Sequence, residues 1–239
     1  MTGSPVAPMI QIQRLTELYD AYVDTFRGAD GELPPMMRLK RIHTTHVVEN
    51  ARAIAAGEGF DAETARVCDA AALLHDTGRY EQLRRYNTFR DSDSVDHAVF
   101  SHDIVVEKGW LDGDPQREAI LTAVLVHNRR DVPDNLDLLT NAAVHTVRDA
   151  DKLDIFRVLE AIRASRPVDY QDIKTLADFV LIQVGWMVCG LRYPTSRRLC
   201  AERGHLAFRR SFLHELTDDP AVDEICDLAA RKSERPGLD

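Results

Sequence analysis

The chain has 239 residues, 44% of them hydrophobic and 29% charged, with 30 Lys and Arg against 39 Asp and Glu for a net charge of −9. This is the composition of a globular chain long enough to bury a core without disulfides or a structural metal, so disordered and small-scaffold classes are excluded. The acidic balance lacks the basic surplus that neutralises duplex phosphates, so duplex nucleic acid is not the expected partner.

The N-terminal residues MTGSPVAPMI have neither the basic region nor the continuous apolar run of a secretory leader. The four cysteines, Cys68, Cys189, Cys200 and Cys226, form no CxxC pair and read as reduced, buried thiols. The most apolar stretch, Phe179 to Leu191, is too short to span a bilayer and carries Gln183 and two glycines. A cytoplasmic protein with no membrane partner is the expectation.

Apolar positions recur at helical intervals from the start, as in Ile10, Leu15, Leu18 and Tyr22, then Val47, Ala51, Ile54 and Ala55. Asp61 is placed to cap a helix over Ala62 to His75. The polar, arginine-rich stretch from His75 to Ser94, interrupted by Gly78 and Asn87, reads as a long irregular segment of the kind that carries function. A helix beginning near Ser94 is closed by Gly109, and Asp114 with Pro115 opens another running to about His127. Asn128 to Asn135, with Arg129, Arg130 and Pro133, reads as a second loop. Strand-type alternation is hard to find, so the fold class is all-α. No linker or internal repeat divides the chain, so residues 1–239 are expected as a single domain.

The sequence contains no GxGxxG, phosphate loop, GxSxG or HExxH. What it offers is histidines and aspartates at helix ends beside polar loops: His43, His75-Asp76, His97, His127 and Asp151. Two His-Asp pairs occur, and context separates them. His75-Asp76 ends an apolar helix and meets a glycine two residues later, whereas His102-Asp103 falls within a helix, where solvent exposure is the ordinary outcome.

The segments HTTHVVENARAIA, AALLHDTGRYEQ, SVDHA, VLVHN and RDADKLD, in that order over about residues 38 to 165, resemble the HD superfamily of metal-dependent phosphohydrolases. The resemblance implies an HD-type helical core at about 38–165 and a helical extension at about 166–239. It also implies that His43, His75, Asp76 and Asp151 are metal ligands; Asp149 and Asp154 compete for the last of these positions and are read instead as helix caps or supporting acceptors. A mixed imidazole and carboxylate set suits Mn2+, Fe2+, Co2+ or Ni2+. One ion is expected, with His97 and His127 in the pocket wall as substrate contacts; the alternative makes these two histidines the ligands of a second ion that shares Asp76. His46, His102, His145, His205 and His214 are read as structural or surface residues.

A metal in such a site lowers the pKa of its water and polarises a phosphoryl oxygen, so no protein nucleophile is required. Arg79 and Lys152, each within three residues of a ligand carboxylate, are placed to stabilise charge on the phosphoryl group alongside Asp76. Arg84, Arg85 and Arg129 are expected to bind the substrate anion, with Arg90 and Arg130 on the same two loops. The expected function is hydrolysis of a phosphate ester or anhydride in a small phosphorylated molecule, a nucleotide by preference, with homodimer formation left open. The alternatives are a di-iron oxygenase of the same superfamily and a non-catalytic module that binds metal and nucleotide. Ser101-His102 departs from the glycine and apolar residue common at that point of the family.

Overall fold

The computed structural model describes residues 10–162, 180, 183–216 and 221–233. Their regular elements are all helical, with no strand among the described residues, as the periodicity predicts. Two compact units emerge, Met1–Arg148 and Asp149–Asp239, the division falling inside one long helix.

The first unit holds α1 (Ile12–Asp24), α2 (Pro35–Gly57), α3 (Ala62–Leu74), α4 (Gly78–Tyr86), α5 (His97–Glu107), α6 (Arg117–Val126) and the start of α7 (Leu138–Ile162). Helix starts follow the caps in the sequence. Pro35 occupies the first turn of α2, where its missing N–H costs nothing. The Asp61 carboxylate accepts the N–H of Thr64 at 2.8 Å, and the Asp137 carboxylate takes that of Thr140 at 3.0 Å.

Helix α3 is the centre of this unit. Val67, Cys68 and every residue from Ala70 to Leu74 are buried, and α1, α2 and α6 all pack against it. A helix that is apolar nearly all round has to be enclosed, and its alanines let three neighbours approach closely. Its own Leu74 is fully buried, as are Leu15, Ile54 and Ile120 on the three neighbours, each worth roughly 1.5–3 kcal/mol of transfer free energy. A chain of hydroxyls crosses this interior: the Tyr19 hydroxyl donates to Thr44 Oγ1 at 3.2 Å and lies 3.0 Å from the Tyr80 hydroxyl.

The segment from His75 to Ser94 is not irregular as the sequence suggested, because α4 occupies its first half. Gly78 acts there as a packing residue and not as a helix breaker. A Cβ on Gly78 would lie 2.6 Å from the Ser101 nitrogen and 2.9 Å from the His97 carbonyl oxygen, so only glycine lets α4 meet the backbone of α5. The Ser101 hydroxyl accepts the Gly78 N–H at 2.8 Å, which gives this serine its place in the core. Asn87 ends α4 in the left-handed region at φ 53°. Helix α5 starts at His97, not near Ser94, because the Asp96 carboxylate caps Ala98 and Val99. Asp114 precedes α6 by three residues; it accepts the Gln116 N–H at 2.8 Å and pairs with Arg66 at 2.9 Å.

In the second unit α7 continues to Ile162, followed by a π-helical turn (Trp186–Gly190), α8 (Pro194–Glu202), α9 (His205–Leu216) and α10 (Ala221–Ser233). Val180, Val184, Phe212, Leu213, Val222, Cys226 and Ala229 form its core. Buried Arg209 is satisfied by the Gln183 side-chain oxygen, at 3.1 and 3.0 Å, and by the His205 carbonyl at 3.1 Å. Within the apolar stretch Phe179 to Leu191, the residues Val180, Val184, Met187 and Leu191 are buried as core; Phe179 and residues 181 and 182 lie outside the described residues, as do 166–178 of the expected extension. Cys68, Cys200 and Cys226 are buried free thiols, and the side chain of Cys189 lies outside the description. No helix among the described residues is long and apolar enough to cross a membrane.

Candidate metal centre

Five of the predicted ligands meet inside the first unit. His43 comes from α2, His75 and Asp76 from the end of α3, His97 from the first position of α5, and His127 from the residue that closes α6. All five are buried, His75 completely. Asp76 stands between two pairs of imidazoles. Its Oδ2 lies 3.6 Å from His43 Nε2 and 3.7 Å from His75 Nε2, while its Oδ1 lies 3.7 Å from His97 Nε2 and 4.0 Å from His127 Nε2. Within the pairs the Nε2 atoms approach to 3.3 Å for His43 and His75 and 3.1 Å for His97 and His127.

The outer nitrogens of these rings fix what the inner ones can do. His75 Nδ1 lies 2.8 Å from the Ala72 carbonyl and His127 Nδ1 lies 2.7 Å from the Val124 carbonyl. A carbonyl only accepts, so each Nδ1 carries the proton and each neutral ring turns a bare lone pair inward on Nε2. His97 Nδ1 is held by Asp91 Oδ2 at 2.5 Å and follows the same logic. In their neutral forms His97 and His127 would face each other lone pair to lone pair, an arrangement relieved by a cation or by a proton on one ring. A shared carboxylate, inward lone pairs and outward N–H groups tied to backbone or carboxylate form the donor set of a metal site. Suitable donor atoms of Asp76, His97 and His127 all lie within 4.8 Å of one another.

Charge on the centre follows from its neighbours. Burial would raise the pKa of Asp76, yet Lys40, His75, Arg79 and His97 together hold it well below the usual carboxylate range. Burial likewise opposes ionisation of Asp91, and the His97 hydrogen bond with the nearby charges of His97 and Arg79 brings it down to about 2.

Lys40 and Asp91 are the two members that sequence reasoning missed. Lys40 Nζ lies 2.7 Å from Asp76 Oδ2, and its spacing three residues before His43 on α2 was a usable signal. Asp91 sits in the 3-10 turn Asp91–Asp93, and only the fold brings it to His97.

Arg79 lies against the centre, its Nε 3.5 Å from Asp76 Oδ1. One guanidinium nitrogen donates to the Phe89 carbonyl at 2.6 Å, Gln82 Oε1 at 2.8 Å and Asp91 Oδ1 at 3.0 Å. Arg84 and Arg85 instead pair with buried Glu81 and stack over Phe26 and Phe100, at 4.8 and 5.3 Å from the ring centres. Arg129 pairs with Asp96 at 3.1 Å and Arg90 with Asp93 at 3.3 Å. Arg130 and Arg129 present their backbone carbonyls, with those of Val126 and His127, to the Arg148 guanidinium. Arg148 thereby closes the C-terminal end of α6, where unpaired carbonyls would otherwise remain.

The remaining candidates lie on α7 within the second unit. Asp151 is half-buried and Asp154 is buried. Asp149 accepts the backbone N–H groups of Arg192 and Tyr193 at 2.9 Å, so it caps the entry to α8; burial raises its pKa against those bonds. Lys152 Nζ donates to the Gly190 carbonyl at 2.9 Å. Of the other histidines, His102 pairs with Asp103 and His214 with Asp223; His46 and His145 are half-buried and His205 is buried.

An all-helical unit that gathers four imidazoles around one buried carboxylate is a metal-binding histidine and aspartate domain. The HD domain family model matches residues 41–155, from α2 into α7, and the chain is a member of the HD superfamily. No curated protein and no solved structure matches it.

Proposed function

We propose that the HD domain hydrolyses a phosphate ester or anhydride of a small phosphorylated molecule, a nucleotide by preference, with divalent metal as cofactor. The observation that carries this reading is the position of Asp76, each of whose oxygens faces its own pair of imidazoles. His43, His75 and Asp76 would hold one ion, with Asp151 added by the family pattern. Asp76, His97 and His127 would hold a second; we read the site as a two-ion centre in place of the single ion expected from the sequence, a reading supported by the two pairs of imidazoles about Asp76. Mn2+, Fe2+, Co2+ and Ni2+ suit these donors. Metal bound there supplies a water of lowered pKa and a Lewis acid for the phosphoryl oxygen.

The protein's own groups do the rest. Asp91, Ala72 and Val124 hold three rings in the tautomer that binds metal. Lys40, on the Asp76 carboxylate, is placed to donate to a phosphate oxygen, and we assign the same service to Lys152. Arg84, Arg85 and Arg129 would act on the outer parts of the substrate. A cytoplasmic setting accompanies this reading, from the free thiols.

Metal analysis of untreated protein, combined with assay on a broad panel of phosphorylated compounds, tests the proposal. Two equivalents of transition metal, loss of turnover with EDTA, and better recovery with Mn2+, Co2+ or Ni2+ than with Ca2+ are expected. Metal-loaded protein inert on the whole panel overturns it. Were that inert protein also to carry iron with a mixed-valent signal, the oxygenase reading would take its place.

A further inference from the structure

The second unit contains a cavity of about 560 Å3 between the π-helical turn, α8, α9 and α10, a volume typical of small-molecule sites. Its existence follows from the sequence. Ala201, Gly204 and Ala207 fall at three-residue intervals across the junction of α8 and α9, and none sends a side chain across the gap. Nothing lies within 4 Å of the point where a Cβ on Gly204 would sit.

The lining divides by chemistry. The floor is aliphatic or sulfur-bearing, with Met187 and Cys200 buried and Leu206 beside them. Around it stand three guanidinium groups, Arg197 and Arg198 from α8 and Arg210 from α9; Arg210 pairs with Asp227, which also lines the cavity, and with Asp223 at 3.8 Å. Arg197 is steered by an Nε bond to the Leu191 carbonyl at 3.1 Å, and Arg198 leans towards Glu202 at 3.4 Å. Among the described residues no aromatic ring lines the cavity, so they offer a nucleobase no stacking face.

We propose that this cavity binds an aliphatic anion, with its charged head among Arg197, Arg198 and Arg210 and its chain over Met187, Cys200 and Leu206. Arg197, which has no carboxylate partner among the described residues, beside the two carboxylate-paired guanidinium groups, selects a carboxylate or phosphate head, and the apolar floor requires a saturated chain behind it. None of these residues belongs to the metal centre, so the site stands independently of the proposed hydrolysis.

The test uses the full chain and titration calorimetry with decanoate, decyl phosphate, decanol and inorganic phosphate. Decanoate and decyl phosphate distinguish a carboxylate from a phosphate head; saturable 1:1 binding of either, at least about tenfold tighter than decanol, is expected, with no binding of inorganic phosphate. Ala207→Phe fills the cavity from an exposed helix position and should abolish binding while leaving the thermal midpoint unchanged. Ala201→Phe does the same from α8 and serves if the first variant is unstable. Arg197→Gln with Arg210→Gln should weaken both anions about tenfold and leave decanol unaffected. Binding that survives both fillings, decanol as tight as the anions, or no binding of either anion overturns the proposal.

Discussion

The ammonium of Lys40 lies 2.7 Å from Oδ2 of Asp76, the same oxygen that faces His43 and His75. A protein cation thus competes with metal for a ligand oxygen, and an ion entering there has to displace it and tolerate its charge. At this range one unit charge is worth several kcal/mol at an effective dielectric near 20, of which solvent screening leaves a part. Lys40→Met should therefore bind Mn2+ about tenfold or more tightly by calorimetry. Its kcat/KM should fall, because the displaced ammonium is the donor offered to substrate. An unchanged Mn2+ affinity would show that Lys40 is not a competitor.

Gly78 carries a stability prediction. Gly78→Ala puts a methyl group 2.6 Å from the Ser101 nitrogen and 2.9 Å from the His97 carbonyl oxygen, both backbone atoms that cannot rotate away. Separation of α4 from α5 should cost about 1–3 kcal/mol in urea unfolding. It should also lower metal content, since the carbonyl displaced belongs to His97. A variant as stable as the parent with full metal would place the α4 and α5 contact outside the mechanism.

His75, Asp76, His97 and His127 were legible because they sit where helices begin or end, and helix ends leave marks in sequence: the apolar run before His75, the Asp96 cap before His97, the run VLV before His127; His43 and Asp151, expected at helix ends too, lie inside α2 and α7 and were legible through the family resemblance. The segment from His75 to Ser94 was misread for a related reason. Glycine at 78 and charges throughout resemble a loop, but the glycine answers to the backbone of α5, a partner about twenty residues away that no local pattern reveals. Arg84 and Arg85 show the same limit. Their charge is visible in the sequence, whereas its capture by buried Glu81 is a product of helical spacing, at i+3 and i+4, once α4 exists. The second pair of imidazoles and its sharing of Asp76 stood in the sequence only as an alternative; the distances that set each oxygen of Asp76 against its own pair come from the fold.

Asp91 links the centre to acid stability. Its folded pKa is about 2, against about 3.9 in an unfolded chain, so its contribution is complete above about pH 4 and is lost as pH falls from there to about 2. With the side chain about one third exposed, the contribution is on the order of 1 kcal/mol after screening. Asp91→Asn should lower stability at pH 7 by this amount and flatten the pH dependence between pH 4 and 2, measured as urea midpoints. Parallel curves for the two proteins would show that Asp91 carries no folding linkage.

Arg79 and Lys152 were both expected to stabilise charge on the phosphoryl group, and their contacts now give them different predicted behaviour. Arg79 spends one nitrogen on the Phe89 carbonyl, Gln82 and Asp91, and keeps Nε near Asp76, with only 14% of the side chain exposed. It holds two carboxylates that act directly on the metal centre, so Arg79→Ala should lose metal along with activity and destabilise the fold by about 1–3 kcal/mol through the acceptors left unpaired. Arg79→Lys should keep part of the metal, because charge survives while the fork is lost. Lys152 donates to the Gly190 carbonyl in the second unit, and Lys152→Ala should keep its metal and lose rate, on the order of 10²–10³-fold if the ammonium serves the transition state. Metal content and kcat read on the same preparations separate the two residues. Arg79→Ala with full metal and a large loss of kcat would restore Arg79 as a phosphate contact, and Lys152→Ala with unchanged kcat would leave Lys152 as a strut of the second unit.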